Sequence, residues 1–558
     1  MSSGKLVAVV GSPTPRSRTV AALVERLEGS SGLPSLGVME TGDITFRSAQ
    51  QRALNCFGAS CDEEVELVTI RADAEGAIAV MQAMPEARLS GSRLVLCDCL
   101  AGVDLLALLE SVDTVLGDGA ATLVLVDEFA LRREPTSSVH LPLLQHTRDL
   151  LYRMGWTGLH EEIFDVEASR FVVAAEHAVD RLGLSGAGGS ESAPQPTSPQ
   201  ALLLSQSQVL SSTRERIASG ESGFRRLRVE RLRRPLLRIV RVDASKAEAM
   251  RTLFEQVFGH PMSEAHWQWK YGGGRGRAVG AIKDGQLVAH YGGVSRPVLF
   301  HGERTLACQV GDVMVLASAN RSLARTGPMK QIGATFAVLE VGYGLPHLVG
   351  FGFPNARAFG VAKRLGLYEA VDELVQVSWP AAGAGARMGW VIESLSGSSL
   401  EPQHRRVVDA LWARMAPAFG KSIVGVRDAD WIEHRYLQRP SVNYTVLLVR
   451  SRWWRRPIGL LVLRQQDQVL NLLDMVCAPE FFGELVRVAR LKAQSIGALR
   501  VACWITRSQQ HRLHRADADH QQVEPLGIQI PTTIQTEGPS HAALKDHWFL
   551  MQGDADFT

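Results

Sequence analysis

Short apolar runs punctuate the first third of the chain: Leu6 through Val10, closing on Gly11, and then residues 65–71, 94–99 and 122–126. The first is a continuous apolar run, as a parallel strand buried on both faces requires, and the others are largely apolar and read as further strands. The stretches between them carry apolar residues at helical spacing, as at residues 20–27. Strand and helix in alternation predict an α/β fold, a doubly wound parallel sheet, over residues 1–183. From residue 185 to 208 the pattern lapses into Gly, Ser, Pro, Gln and Ala. Arg225, Arg226, Arg228, Arg231, Arg233 and Arg234 follow, with Leu227, Val229 and Leu232 interleaved. Residues 184–235 therefore read as a linker that ends in a basic connector docked on its apolar side. A contact with nucleic acid or an acidic partner is the alternative reading of the arginines.

Beyond residue 236 the periods change. A strand near Leu237 and a helix over residues 246–258 lead to Asp284-Gly285, a hairpin turn between two strand-like runs. A second turn at His301-Gly302-Glu303 opens a strand that reaches Leu316. Pro328 suits the first position of a helix that continues to Glu340. An apolar strand over residues 345–351 and a helix from Asn355 to a cap at Gly366 come next. A join rich in Gly, Ala and Ser over residues 381–399 precedes a final α/β section. Glu264-Ala-His-Trp267-Gln-Trp-Lys270-Tyr271 and Asp428-Ala-Asp-Trp431-Ile-Glu-His-Arg435-Tyr436 each precede a pair of strands. This repeat predicts two related halves, residues 236–382 and 383–558.

Composition alters this picture little. A chain of 558 residues exceeds what one core supports. A formal charge of +2 points to neither nucleic acid nor membrane as a partner. No apolar run is long enough to span a bilayer, because Asp98, Asp104, Glu110 and Asp113 break the longest candidate. Seven scattered cysteines form no disulfide framework and no zinc knuckle, and a cytoplasmic protein without a metal is expected.

Candidate chemistry begins at Gly11-Ser12-Pro13-Thr14-Pro15-Arg16-Ser17-Arg18-Thr19, between the first strand and first helix. N–H groups at a helix start, with nearby hydroxyls, suit a phosphate. Neither a Gly-x-Gly-x-x-Gly fingerprint nor a Walker loop is present. The loop resembles that of the NADPH-dependent FMN reductases of the alkanesulfonate-monooxygenase type, a flavodoxin-like family. Their Gly-Ser-Pro…Ser-Arg-Ser/Thr pattern is matched by Gly11, Ser12, Pro13, Ser17, Arg18 and Thr19. The resemblance, over residues 5–182, implies Ser12, Ser17, Arg18 and Thr19 on the FMN phosphate, NAD(P)H as reductant, and a homodimer through this domain. The family's ring-binding segments are unmatched: residues 97–104 and 127–133 stand in their place.

The strand ending near Leu316, the loop carrying Arg321, Arg325 and Gly327, the helix to Glu340, the next strand and the Asn355 helix form an ordered set. This order resembles the core of the GNAT acyltransferase superfamily. The resemblance implies an acyl-CoA whose pantetheine arm lies between two splayed strands, paired with Val315 and touched by Asn355. It places Arg321, Arg325 and Gly327 on the pyrophosphate, where helix dipole and cations favour an anion. Ala362 stands where the family often has an acidic tyrosine, so Asp312, His290, Glu340 and Tyr343 are the candidate acids and bases. The chemistry implied is attack of a deprotonated amine on the thioester, without a nucleophilic side chain.

The expectation is an acyl-CoA-dependent N-acyltransferase that uses acetyl-CoA or another acyl-CoA, serves a small amine or amino sugar and is fused to an FMN reductase-like domain. An NAD(P)H-dependent flavoprotein with an accessory GNAT region and a non-catalytic scaffold are the alternatives. In the second half, the loop at residues 478–483 lacks the Arg/Gly donors and is expected to shape the cleft rather than bind CoA. Asp554 and Asp556 read as solvated end charges, with an amine site as the alternative. Trp453-Trp454-Arg455-Arg456 reads as a hairpin tip rather than a nucleic-acid stacking platform.

Overall fold

The computed structural model describes residues 5–10, 66–71, 93–97, 105–129, 150–165, 171–173, 223–232, 235–319, 327–343, 345–382, 389–513, 521–534 and 538–555. The chain divides into two compact units, Met1–Arg241 and Val242–Thr558.

In the first unit the apolar runs become β1 (Lys5–Val10), β2 (Glu66–Arg71), β3 (Arg93–Cys97) and β4 (Ala121–Phe129), with helix α1 (Leu105–Leu116) before β4. These four strands pair in parallel. β5 (Thr157–Asp165), β6 (Phe171–Val173) and β7 (Gly223–Arg231) extend the sheet in antiparallel fashion, giving the order β1-β2-β3-β4-β7-β5-β6.

The parallel pairing of β1 to β4 agrees with the alternation of strand and helix, while residues 11–65, where a doubly wound order would be set, lie outside the described residues. One expectation is corrected: the connector expected over residues 184–235 contains an interior strand. Leu227 and Val229, alternating with Arg226, Arg228 and Glu230, follow the period of two that a strand requires. Val229 is buried opposite Leu123, and Arg231 is buried against Asp113 and the Gly117 carbonyl, its guanidinium 4.8 Å from the Trp156 ring centre. The phosphate-loop residues Ser12, Ser17, Arg18 and Thr19 lie outside the described residues.

β8 (Arg238–Arg241) ends the first unit. The second unit runs twice through one series of elements. The first pass comprises helices α2 (Ala247–Phe258) and α3 (Glu264–Tyr271), the meander β9 (Gly276–Lys283), β10 (Gln286–Phe300) and β11 (Glu303–Val315), helix α4 (Pro328–Glu340) and strand β12 (Val349–Gly352). Helix α5 (Ala356–Arg364) and strand β13 (Tyr368–Pro380) complete it. The second pass opens with β14 (Trp390–Leu395), α6 (Pro402–Met415), β15 (Ile423–Gly425) and α7 (Ala429–Ile432), which continues as a π-helical turn, Glu433–Leu437. The meander β16 (Thr445–Ser451), β17 (Pro457–Gln466) and β18 (Val469–Val476) follows, then α8 (Phe482–Ser495) and β19 (Arg500–Thr506). β20 (Gln522–Thr533), α9 (His541–Leu544) and β21 (Trp548–Phe549) close the chain.

In each pass the last strand of the meander pairs in parallel with the strand after the next helix, β11 with β12 and β18 with β19. The two passes then share one sheet, in the order β14-β16-β17-β18-β19-β13-β20-β12-β11-β10. β13 of the first pass is antiparallel to β19 of the second, and β20 of the second is antiparallel to β12 of the first. Each pass thus completes its sheet with a strand from the other. The Gly-, Ala- and Ser-rich join is therefore a connection within one compact unit.

Local chemistry agrees with these elements. Asp284 and Gly285 take positive φ angles of 51° and 78°, as the hairpin turn between β9 and β10 demands. Ser263 and Asp428 cap α3 and α7 by accepting from the His266 and Trp431 N–H groups, which explains why both copies of the repeated motif start a helix.

Candidate functional site

The pairing of β11 with β12 runs from Ala307 opposite Val349 to Val310 opposite Gly352 and stops there, while β11 continues to Val315. The two strands therefore part beyond Val310. On its other side β11 stays paired with β10, and the Leu316 N–H donates to the Val288 carbonyl at 2.9 Å. Successive N–H groups of a strand point to opposite edges, so the Val315 N–H faces the gap. Gly327, buried and extended, caps the start of α4, with Pro328 at the first helical position. An edge of unpaired strand and a helix N-terminus thus flank one opening. Arg321 and Arg325 lie outside the described residues. Asn355 caps α5, its Oδ1 accepting from the Ala358 N–H at 2.8 Å, so its carboxamide oxygen is already engaged.

Where β11 enters the gap it bulges. His290 pairs with Met314 and Gly292 with Gly311, leaving Asp312 and Val313 opposite Tyr291, and Asp312 at φ 48°. The Asp312 carboxylate pairs with Lys270 Nζ at 2.8 Å and accepts from the Tyr271 hydroxyl at 2.7 Å. Burial pushes its pKa up, but Lys270, Tyr271 and His290 outweigh that and hold it below the usual carboxylate range. His290 is buried, with Nδ1 2.7 Å from the Asp312 carbonyl oxygen. A carbonyl only accepts, so Nδ1 carries the proton and Nε2 keeps the lone pair. Burial lowers the His290 pKa despite Asp312, which keeps the ring neutral near pH 7.

Of the four candidate acids and bases, the fold brings Asp312 and His290 together. Glu340 sits elsewhere, buried at the end of α4, where its carbonyl accepts from His347 Nδ1 at 3.0 Å and His347 Nε2 accepts from Ser295 Oγ at 2.8 Å. Tyr343 is exposed beyond that helix.

A cavity of about 320 Å³, at the small end of the range for small-molecule sites, has Lys270 in its lining. Its walls come from both copies of the repeated motif: Trp269 and Lys270 from α3, and Trp431, His434 and Arg435 from α7 and its π-helical extension. The copies touch, because the rings of Trp269 and His434 stack at 5.2 Å and Trp269 Nε1 donates to the His434 carbonyl at 2.7 Å. Burial, together with Arg275, Arg435 and Arg296, lowers His434 to a pKa of about 4, so its imidazole is neutral. Its Nδ1 is buried with no hydrogen-bond partner among the described residues. Sequence reasoning noticed the motif as a repeat but not as a cavity wall; the second copy's His434 and its stacking partner Trp269 were legible only as parts of that repeat.

Asp554 also lines this cavity, which corrects its reading as a solvated end charge. It is buried, its carboxylate accepting from Arg427 at 2.5 Å and Arg296 at 3.1 Å, while its carbonyl accepts from Gln309. Burial raises the Asp554 pKa, but Arg427 and Arg296 overcome this and hold it low. Asp556 lies outside the described residues.

The second pass repeats the first at this level of detail. Tyr436 donates to the Asp474 carboxylate on β18 at 2.8 Å, as Tyr271 does to Asp312 on β11. β18 and β19 also part, after Asn471 opposite Ala502. Here the C-terminal segment enters: Ile505 bridges to Met551, the Thr506 N–H donates to the Leu550 carbonyl, and a Cβ on Gly553 would collide with Tyr436 Oη and crowd the Leu473 carbonyl. Arg427 pairs with Asp474 at 2.8 Å and closes this second gap as an ion-paired core.

The family model described as an acetyltransferase (GNAT) domain matches residues 238–336, from β8 into α4. No curated protein matches the chain at a significant level. Among solved structures, a probable N-acyltransferase of Enterococcus faecalis V583, a conserved protein of unknown function, is similar at 14% identity over 53% of this chain and 72% of its own, with a TM-score of 0.42. A GCN5-related N-acetyltransferase from Kribbella flavida is similar at 16% identity over 53% and 70%, with a TM-score of 0.38. A Saccharomyces cerevisiae N-myristoyltransferase with bound myristoyl-CoA and inhibitors is similar at 10% identity over 53% and 79%, with a TM-score of 0.35. The family match places a GNAT acetyltransferase domain in the C-terminal region, over residues 238–336.

Proposed function

We infer that the C-terminal unit is an acyl-CoA-dependent N-acyltransferase built from two GNAT-like halves, of which the first binds the acyl donor and the second helps to form the acceptor cavity. The observation that carries this reading is the end of β11–β12 pairing at Val310 and Gly352 while β11 runs on to Val315 beside the start of α4. An extended amide-bearing arm fits such a gap, because the strand edge offers hydrogen bonds that no neighbouring strand uses. The Val315 N–H would pair with that arm. N–H groups after Gly327, helped by Arg321 and Arg325, would face the pyrophosphate. Asn355 acts by starting α5.

The acceptor amine occupies the cavity between Trp269, Trp431 and His434, whose lining includes Lys270, the partner of Asp312. Its nitrogen bonds to the acyl carbon as the carbon–sulfur bond breaks, and the proton it loses is received at His290 Nε2. Asp312 stabilises the resulting imidazolium, and Lys270 and Tyr271 hold Asp312 in place. Coenzyme A leaves as a thiolate that takes a proton. A small primary amine or an amino sugar suits the cavity volume. The second gap, filled by residues 548–555, is unsuited to a second CoA.

Calorimetry of the full chain with acetyl-CoA, followed by thiol release with a panel of amines, tests the reading. Saturable binding and amine-dependent thiol release are expected; absence of binding by acetyl-CoA and longer acyl-CoAs would overturn it. The Gly11–Thr19 loop carries a separate reading, an FMN phosphate site in the first unit that NAD(P)H reduces. Flavin absorbance of the purified protein with added FMN tests it independently, and a colourless protein that leaves FMN free would remove it.

A further inference from the structure

The β16–β17 hairpin ends in two tryptophans that no described residue covers. Trp453 and Trp454 are 88% and 79% exposed, whereas most large apolar side chains of the second unit are buried. The tip is fixed by its backbone. The Arg455 N–H donates to the Ser451 carbonyl at 3.0 Å, the Ser451 N–H to the Arg456 carbonyl at 2.9 Å, and the Arg452 N–H to the Gly389 carbonyl at 3.1 Å. Arg452, Arg455 and Arg456 flank the indoles, all exposed, and no acidic side chain pairs with them among the described residues. Arg414 approaches the same end of the hairpin, its Nη2 donating to the Pro457 carbonyl at 3.0 Å. The nearby Glu393 is engaged by Arg450 and His404.

We propose that this tip docks the protein peripherally on an anionic lipid surface. Two adjacent indoles on a fixed convex turn present an apolar body with a polar N–H, the combination favoured at the level of lipid headgroups. The surrounding guanidiniums supply attraction to anionic lipid without having to leave an existing ion pair. A single-stranded nucleic acid is a poorer fit, because it calls for a basic groove that tracks the backbone between stacking rings, and a two-residue apex forms none. Among the described residues no helix is long and apolar enough to cross a membrane, and surface docking by a hairpin tip requires none. The inference modifies the expectation, drawn from net charge, that the protein has no membrane partner; the charge that matters is local.

Co-sedimentation of the full chain with vesicles of phosphatidylcholine, with and without phosphatidylglycerol, tests it. Partition is expected on the anionic vesicles, weakening as salt rises. W453S/W454S should reduce it about tenfold or more, and R452E/R455E should do likewise. All four side chains are exposed, so both variants should keep the circular dichroism and thermal midpoint of the parent. No partition on anionic vesicles, or equal partition by the W453S/W454S variant, would overturn the proposal. So would a tryptophan-dependent dimer, or binding of a single-stranded oligonucleotide without vesicle binding, either of which would assign the tip to a different partner.

Discussion

Asp312 shows how much one residue in this fold has to reconcile. It sits at a positive φ in a bulge, pairs with a buried lysine and fixes the tautomer of a buried histidine through its carbonyl. Asp312→Asn removes the carboxylate of a buried ion pair with Lys270, and breaking such a pair costs about 3–5 kcal/mol. Acyl transfer should fall about 100-fold or more, with little change in acetyl-CoA affinity by calorimetry. The twin hydrogen bonds of Tyr271 and Tyr436 permit a comparison within one molecule. Tyr436→Phe should lower stability by about 1–2 kcal/mol in urea unfolding and leave turnover unchanged. Tyr271→Phe should lower turnover, because its hydroxyl holds the carboxylate beside His290. The pH dependence has a definite sign. The His290 pKa is depressed in the folded protein, so activity that needs its lone pair falls only below the ordinary histidine value of 6.5. The unfolded chain protonates first, so the stability this group contributes is present above 6.5 and is lost as pH falls through the lower folded value. A pH–rate profile and a parallel set of unfolding midpoints check both parts.

At the scale of elements, periodicity carried far. The Asp284-Gly285 hairpin, the helix opened by Pro328, the Asn355 cap and the Gly366 end were all legible, because each depends on a local backbone requirement. β7 was not, since among six arginines in ten residues the interleaved Leu227 and Val229 read as the apolar side of a docked connector and not as the period of a strand. The gap between β11 and β12 was also beyond local reasoning, because it depends on where two distant strands stop pairing. Its consequence is testable in the loop ahead of α4. R321A/R325A should weaken acetyl-CoA binding about tenfold or more in calorimetry while leaving the unfolding midpoint unchanged. Equal affinity would remove the pyrophosphate role of these residues.

At the scale of the whole unit, the two passes are interlocked by exchanged strands and by a buried ionic cluster of Arg427, Asp474, Asp554 and Arg296. Asp554→Ala would take the carboxylate from buried Arg296 and leave Arg427 with Asp474 alone, and a loss of about 3–5 kcal/mol is expected, read as a lower urea midpoint. Because the Asp554 pKa lies below 3.8 when folded, its contribution is complete above that value and is lost as pH falls through the folded one. A C-terminal residue thereby becomes part of a cavity wall in the first half. By itself the sequence determined the order of strands and helices from the Asp284-Gly285 hairpin to the helix ending at Gly366, and the repeated tryptophan motif that opens a helix in each pass, all of which follow from periods and caps set by near neighbours. Only the tertiary structure decided that the two copies of the motif face each other across one cavity, that Asp312 and His290 meet while Glu340 and Tyr343 do not, and that Asp554 is buried. Those outcomes depend on which distant strands pair and where pairing ends, a balance of long-range contacts that no local pattern encodes.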